Sequence, residues 1–488
     1  MGCQPDQWAR EWLEEQRAKG KKGLTVEKKG SVHYLKWATT VWNKNEKKRN
    51  KVSEYLGVLN PDGTVTEPRP LRPKGEVSDV RDSGNAKVLA LAAAPFIDHL
   101  RFCFPRDHPE IVELAFTRCL GKGELKRAGK CWKGLDDVLG LRPNTDPGSL
   151  SETLERIGRS RAAQDMFFER ISSDEGTAAI DMSVMFSRSK GAFLVKKGYN
   201  RFRSSCTQFN ILLACGMKSG RPQFIKTLAG NIKENSFENV ILEFSIASNT
   251  VLVMDRAYCS KDIMDKVTGL GMDFVVAAKR NSSAYGHVRT GEGMFVWNKC
   301  AVSYGHAEYD GMYAYRFENL SCRNDELADA LTASERSGKE VRNVDRAGNL
   351  ILFSSREMEP KDAYRLYKLR CSVEQCFDTA KNVLSADRTY MHSDERIMGH
   401  CFVTFVALCI WTEISIMIDA AGLSSVFTVT DVLDTYASMK KITINGEDLE
   451  QTPGKDVRDL DEKLGLNLYP GKERRTAGHK PRPPHSPA

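Results

Sequence analysis

The sequence lacks several features that define particular protein classes. Its 13 cysteines are scattered as single residues with no Cys-x-x-Cys pair, which disfavours a zinc ribbon or a redox site. No basic segment followed by an apolar one opens the chain, so we expect free thiols in a reducing prokaryotic cytoplasm. The most apolar stretch, residues 397–421, is interrupted by His400, Glu413 and Asp419. This pattern predicts a buried core helix rather than a membrane span.

The composition is that of a globular protein larger than one small domain. The chain has 488 residues, of which 41% are hydrophobic and 28% charged, and these fractions exclude a disordered or fibrous protein. Its length favours two or three units around one larger domain. A net charge of +8 suits a polyanionic partner, although the charge alone is weak evidence for nucleic acid.

The periodicity of apolar residues changes along the chain and predicts an ordered series of segments. Two β-rich runs joined by a basic loop indicate a hairpin over residues 31–59, and the order of strands and helices after residue 176 indicates a mixed α/β sheet. The predicted segments are a β-hairpin region (1–65), a proline-rich linker (66–85), a helical module that is a candidate for binding DNA ends (86–175), the first part of an α/β core (176–282), a β-rich insertion (283–354), a C-terminal helical part of the core (355–468) and a disordered basic tail (469–488).

Two aspartates occupy strand positions where a charge needs a partner. Asp181 interrupts an apolar strand and shares a face with Ser183. Asp255 directly follows the apolar run 251–254, at the carboxyl end of a strand, where open α/β sheets place their sites. The next helix is predicted to begin near Ser260. Taken alone, each aspartate is also consistent with one that caps a turn or starts a loop.

A third set of polar residues follows helical spacing. Tyr367, Arg370, Glu374 and Lys381 lie at offsets of 0, 3, 7 and 14 in a helix predicted to run to about Leu384. At about 100° per residue they fall within roughly 60° on one helix face. Each residue alone suits a solvated, salt-bridged face. Four chemically distinct side chains on one stripe, after two aspartates on strands, favour a functional site.

Together the three carboxylates predict an oxygen-rich site without His or Cys ligands. Asp181, Asp255 and Glu374 are the predicted catalytic and metal-binding residues. Such a donor set suits two Mg²⁺ or Mn²⁺ ions. Arg370 and Lys381 would hold DNA phosphates.

These residues resemble a known family. Asp181, Asp255 and Glu374, with the Tyr-x2-Arg-x3-Glu-x6-Lys spacing, are similar to the DDE transposases of the fourth insertion-sequence family and its relatives, the YREK group. The likeness extends over about residues 176–465, and more loosely to the N-terminal hairpin. The resemblance implies an RNase H-like catalytic core with a β-rich insertion, and a cut-and-paste reaction through hairpin ends.

The resemblance also implies roles for individual residues. Asp181, Asp255 and Glu374 would be metal ligands, and Tyr367, Arg370 and Lys381 would contact the DNA backbone. Two positions depart from the pattern: Ala257 replaces a usual glycine, and Cys371 stands where an aromatic is common. Trp297 is therefore a candidate for stacking on DNA, although a core residue of the insertion is the simpler interpretation.

The expected function is DNA transposition by a metal-dependent enzyme. Its partners would be double-stranded DNA, as terminal inverted repeats and target, and a second copy of the chain in a synaptic complex. Two alternatives stay open: an RNase H-like nuclease or resolvase without strand transfer, and a non-catalytic DNA-binding descendant.

Overall fold

The computed structural model describes most of the chain. The described residues are 4–43, 48–66, 76–172, 176–198, 206–232, 250–337, 346–384, 388–389 and 391–469. They divide into two compact units, Met1–Ser78 with Ile444–Glu447, and Asp79–Thr443 with Asp448–Ala488. Two predicted features, the helix-like run at residues 237–248 and the basic tail from residue 470, lie outside the described residues.

The first unit is a small antiparallel sheet with one helix. Its elements are α1 (Gln7–Ala18), β1 (Leu24–Lys29), β2 (Val32–Asn43), β3 (Lys48–Leu59) and β4 (Val65–Thr66). The strands pair in chain order, and β2 and β3 form the predicted hairpin. Helix α1 was not predicted; its Ala9 and Leu13 pack with Leu24, Leu35 and Leu59 in a separate core. The centre of the predicted basic loop, residues 44–47, lies outside the described residues.

The second unit begins with helices. They are α2 (Ser83–Cys103), α3 (His108–Cys119), α4 (Leu125–Lys133), α5 (Pro147–Arg159) and α6 (Arg161–Ile171). Helical spacing predicted these elements, and the structure places them in the same compact unit as the large sheet. The predicted linker is wrong in its last third, because residues 77–82 form a strand, β5 (Val77–Asp82). Residues 67–75 lie outside the described part.

The large sheet carries the site. Its strands are β6 (Thr177–Ser187), β7 (Gln208–Gly216), β8 (Pro222–Ala229), β9 (Val251–Met254), β10 (Asp273–Ala277), β11 (Gly293–Trp297), β12 (Cys300–Tyr309), β13 (Met312–Asn319), β14 (Asn349–Ser354) and β15 (Arg388–Thr389). The order is β11-β12-β13-β14-β10-β9-β6-β7-β8, with β15 also on β6. Strands β6, β9 and β10 are parallel neighbours, and the strands on either side of them are antiparallel, so the sheet is mixed.

The β-rich insertion is part of the main sheet, whereas the sequence predicted an insertion separate from the catalytic core. Its strand β14 pairs antiparallel with β10, so the insertion continues the main sheet rather than forming its own. Part of its polar stretch also forms a helix, α9 (Leu320–Ser337), after two shorter helices, α7 (Lys261–Gly269) and α8 (Ala284–His287). The hydrogen-bonding edge of β10 explains the continuation, because a buried strand edge needs a partner.

The remaining elements complete the second unit. They are α10 (Pro360–Leu369), α11 (Cys371–Asp378), a π-helical turn (Thr379–Val383), α12 (Asp394–Ala420), α13 (Val429–Tyr436), β16 (Lys440–Ile444), β17 (Glu447–Glu450) and α14 (Lys455–Leu464). The strands β17, β16 and β5 form a small third sheet in that order. The single long helix predicted up to Leu384 is wrong: it is divided at Arg370 and ends in the π turn. Around Arg370 the backbone hydrogen bonds join residues three positions apart, as in a 3-10 turn: Arg370 N–H donates to Tyr367 O, and Val373 N–H donates to Arg370 O.

Helix α12 is the central core helix. It is long and apolar enough to cross a membrane, but 72% of its most apolar window is buried inside the fold. The predicted buried core helix is therefore confirmed. Two of its polar residues have partners. Glu413 accepts a bidentate hydrogen bond from Arg221 at 2.6 and 3.0 Å, and His400 Nδ1 lies 3.0 Å from Arg118 Nη2. Polar groups in a core are tolerated when they are paired in this way.

Candidate active site

Strand register brings the two aspartates side by side. Strands β6 and β9 run parallel, with Ile180 opposite Met254. Asp181 and Asp255 are the next residue on each strand, so both stand at the same level where β9 ends. Asp255 then precedes a 3-10 turn, Arg256–Tyr258, and helix α7 begins after Ser260 as predicted. The apolar residues before each aspartate anchor the strands in the core, which fixes the position of both carboxylates.

Arg370 links the strand-borne site to the helix. Its Nη1 lies 3.4 Å from Asp181 Oδ2, and its Nη2 donates to Glu374 Oε1 at 2.7 Å. The Arg370 side chain is 15% exposed, whereas that of Glu374 is 53% exposed. The guanidinium therefore occupies the space between one strand carboxylate and the helix carboxylate. A planar group with donors on both edges suits this bridging role.

The other two residues of the helical stripe also reach the sheet. Tyr367 donates its hydroxyl to Asp255 Oδ1 at 3.3 Å, and its ring lies 5.7 Å from the Arg370 guanidinium. Lys381, in the π turn, donates to Ser183 Oγ at 2.5 Å. Ser183 is the residue predicted to share a face with Asp181. The stripe thus meets the carboxylate edge of the sheet although its helix is divided.

The electrostatics of the site reflect crowded negative charge. Burial raises the pKa of Asp181 to about 6; the Met182 N–H and Arg370 oppose this rise, while Asp255 and Glu374 add to it. Burial, with the nearby Asp255, raises the pKa of Tyr367 to about 12, so its hydroxyl stays protonated and able to donate. Burial alone would lower the pKa of Arg370, but its acidic neighbours raise it. Arg370 is therefore a permanent cation within an acidic site.

The residues fit a divalent metal by their chemistry. All three acidic side chains offer oxygen, the donor that Mg²⁺ and Mn²⁺ prefer. Their mutual repulsion, recorded in the pKa of Asp181, is the kind of charge that a cation relieves. The expected convergence is incomplete, however. Within the described part of the chain, no three acidic, His or Cys side chains form a closed ligand group, because Arg370 lies between Asp181 and Glu374.

Trp297 lies apart from the carboxylates. It ends strand β11 and packs edge-on against Tyr364, with ring centroids 5.8 Å apart. Tyr364 is buried on α10, one turn before Tyr367. The partly buried indole is therefore part of the packing between the insertion and this helix, and its contact with DNA stays a prediction.

Sequence reasoning missed a cationic cavity beside the site. A cavity of about 150 Å³ is lined by Arg256, Arg280, Lys368 and Tyr367, among others. Arg256 immediately follows Asp255. Its positive charge opposes, but does not cancel, the rise in the pKa of Tyr367. The signal was present in the sequence, since a cation follows the second aspartate directly. No spacing rule, however, connects Arg280 and Lys368 to that position.

The geometry defines a class of site: strand carboxylates and a helix carboxylate at one end of a mixed α/β sheet, bordered by Arg and Lys. Oxygen donors with nearby cations suit chemistry on phosphate esters. Comparison with known families agrees with this class. Residues 174–410 match the family model described as the transposase DDE domain, a segment that contains all seven predicted site residues. This match supports a DDE transposase.

Solved structures provide one further similarity. A cryo-EM structure of a piggyBac transposase synaptic complex with hairpin DNA matches at a TM-score of 0.40 and 10% sequence identity, covering 81% of this chain and 87% of that chain. The search among curated proteins found no match.

Proposed function

We propose that this protein is the transposase of an insertion sequence, and that it binds the terminal inverted repeats, cleaves both ends and joins them to target DNA by cut-and-paste. We assign it to the YREK group of the fourth insertion-sequence family, with an RNase H-like core. The spacing of Tyr367, Arg370, Glu374 and Lys381 supports this assignment, and the match to the transposase DDE domain supports the broader class of DDE transposases.

One observation carries the proposal. The parallel register of β6 and β9 places Asp181 beside Asp255, and Arg370 connects that pair to Glu374 on a separate helix. Arg370 thereby links three acidic side chains that are distant in sequence, although within the described residues they form no closed ligand group. A fold that needed only structural ion pairs would not gather three mutually repelling carboxylates, because like charges in a partly buried place are costly.

Each residue has a role in this proposal. Asp181, Asp255 and Glu374 would hold two Mg²⁺ or Mn²⁺ ions, and these ions would activate the attacking hydroxyl and stabilise the leaving oxygen. Arg370 and Lys381 hold backbone phosphates, Arg by its fork and Lys as a point charge. Tyr367 orients Asp255 through its hydroxyl.

The rest of the chain has supporting roles. The N-terminal hairpin and the helices α2–α6 recognise the inverted repeats, and the active species is a dimer that holds two DNA ends. The enzyme works in the cytoplasm of a prokaryotic cell, at the nucleoid. The Trp297 indole contacts DNA in this arrangement.

The test is a joining assay with purified protein. DNA duplexes that contain the terminal inverted repeats from either side of the coding region are incubated with the protein, MgCl₂ and a supercoiled target plasmid. We expect cleavage at the ends and covalent joining to the plasmid. Cleavage without joining would favour a nuclease or resolvase, and specific binding without any cleavage would favour a non-catalytic descendant.

A further inference from the structure

A second basic surface lies away from the carboxylates. The loop before α4 and the helix itself border an open groove with a volume of about 910 Å³, here named the α4 groove. Five cationic side chains line it: Lys122, Lys126, Arg127, Lys130 and Lys440. Only two carboxylates, Asp82 and Asp434, face them among the described lining residues. The groove therefore carries an excess of positive charge.

Three of these cations form no ion pair with any residue that the structure describes. Lys440 pairs with Asp82 at 3.4 Å, and Arg127 pairs with Glu124 at 3.2 Å. In the described part of the chain, Lys122, Lys126 and Lys130 form no ion pair, and all three are exposed. They recur every four residues, so Lys126 and Lys130 stand on one face of α4 one turn apart. Like charges in this arrangement weaken a helix.

The groove reaches the segment that holds Lys381. Val383, in the same π turn as Lys381, lines the groove, while Lys381 itself donates to Ser183 beside Asp181. Lys381 and Val383, two residues apart in this turn, thus contact the carboxylate side and the α4 groove respectively.

The chemistry of the groove fits an extended polyanion. Lysines are flexible point charges that contact backbone phosphates without reading bases. Three of them along one groove exceed what a single small anion needs. We propose that the α4 groove binds the phosphate backbone of duplex DNA beyond the cleavage point. This proposal rests on the proposed function, because it takes DNA as the ligand at the carboxylate site.

A lysine-protection experiment on the unmodified protein tests the proposal without any risk of misfolding. The full chain is acetylated with a lysine-selective reagent, with and without an arbitrary-sequence duplex, and the sites are quantified by mass spectrometry. We expect DNA to protect Lys122, Lys126 and Lys130. Lys455 and Lys463, exposed on α14, serve as internal controls and should react equally in both samples. Equal reactivity of the three groove lysines with and without DNA would overturn the proposal.

Charge reversal gives an independent measurement. The variant K122E/K126E/K130E is compared with a matched control, K455E/R458E/K463E, which reverses three exposed charges on α14. Loss of three phosphate contacts should reduce the magnitude of the slope of log affinity against log salt by roughly 2.7, at about 0.9 for each contact. The control should keep the wild-type slope, and circular dichroism should show both variants folded. An equal slope in the groove variant would contradict the proposal.

The two proposals fail in distinguishable ways. If wild-type protein cuts and joins DNA ends but the groove lysines stay unprotected, the groove assignment is wrong and the proposed function stands. If the groove lysines are protected but no cleavage occurs with MgCl₂, the groove binds DNA and the proposed catalytic function is wrong.

Discussion

At the scale of single residues, Arg370 explains how three carboxylates share one small region. Its guanidinium forms ion pairs with both Asp181 and Glu374, and the adjacent Tyr367 donates a hydrogen bond from its hydroxyl to Asp255. Without a cation, the partly buried Asp181 would meet two like charges directly. Arg370 therefore offsets part of the negative charge of the site in the protein alone, and in the proposed function it contacts a DNA phosphate.

This role leads to a prediction on DNA binding. Arg370→Ala and Lys381→Ala should each weaken binding to cleaved ends and reduce the magnitude of the log–log salt slope by roughly 0.9, because each removes one phosphate contact. Fluorescence anisotropy over a salt series measures the slope. Lys361→Ala, an exposed cation at the start of α10, is the matched control and should bind like wild type. If the double variant R370A/K381A keeps the full slope, the two residues do not contact DNA phosphates and serve only their contacts within the protein.

Glu113 is a second residue with an unusual environment. It lies on α3, fully buried, and neither of its carboxylate oxygens has a hydrogen-bond partner in the described part of the chain. Burial raises its pKa to about 8, with a smaller contribution from Glu110. The protonated form is therefore the one that the fold accommodates.

The raised pKa predicts a pH-dependent stability. Because the folded protein holds the Glu113 proton up to about pH 8 and the unfolded chain releases it near 4.5, the stability contributed by this group is complete below about pH 4.5. This stabilisation by Glu113 is lost progressively as the pH rises from about 4.5 to about 8. Glu113→Gln should remove this loss and raise the free energy of unfolding at pH 8 by on the order of a few kcal/mol. Urea unfolding at pH 5 and pH 8 measures it, with the exposed Glu169→Gln as control. An equal pH dependence in wild type and Glu113→Gln would refute the assignment.

At the scale of secondary-structure elements, the crossing of α5 and α12 depends on two glycines. A Cβ built on Gly158 would lie 1.8 Å from Glu395 O, and one on Gly399 would lie 1.9 Å from Leu154 O. Each helix thus presents its glycine to the other helix's backbone, which permits a close approach. This contact holds the helical segment against the core helix behind the sheet.

Substitution of these glycines should separate the helices. Gly158→Ala or Gly399→Ala should lower the free energy of unfolding by roughly 1–3 kcal/mol or more, because the backbone cannot yield to the added methyl. Gly269→Ala is the control: it is helical, with open space around its position, and should be neutral or stabilising by up to about 1 kcal/mol. Thermal unfolding of the three variants compares them. Equal melting temperatures for Gly158→Ala and Gly269→Ala would contradict the close packing.

The elements also show how far sequence patterns predict structure. Period-two runs located β6 and the hairpin, and the apolar run 251–254 correctly marked a strand buried on both faces. The division of the long helix at Arg370 escaped prediction, because it depends on three-residue backbone bonds rather than on a Pro or Gly. The continuation of the sheet from β10 to β14 also escaped, since strand order across an insertion is a long-range property.

The candidate site was more predictable than its surroundings. Helical spacing placed Tyr367, Arg370, Glu374 and Lys381 on one stripe; Tyr367, Arg370 and Lys381 reach the sheet or its carboxylates, and Glu374 contacts Arg370. The position of Arg370 between Asp181 and Glu374 was not foreseen, because spacing gives direction but not pairing. The α4 groove lies outside the motif altogether and depends on the folded arrangement of five separate segments.

At the scale of the whole molecule, a cut-and-paste reaction must hold both ends before either is released. We therefore predict that the active species contains at least two chains and two DNA ends. Mixing wild type with Glu374→Ala on paired-end DNA should depress activity more steeply than dilution does, because mixed complexes are inactive. Sedimentation should show a two-end species. A fall in strict proportion to dilution, without such a species, would exclude obligate pairing.

We propose that Asp181, Asp255 and Glu374 form one catalytic unit for DNA cleavage. The most direct measurement is Mg²⁺-dependent cleavage of element ends by the three single Ala variants, alongside Asp265→Ala and Asp378→Ala, which remove carboxylates nearby in sequence. Residues that act as a unit each give a nearly complete loss when removed. We predict that all three site variants bind the ends but do not cut them, while both controls cut at close to the wild-type rate. Substantial cleavage by any one of the three site variants would contradict the claim.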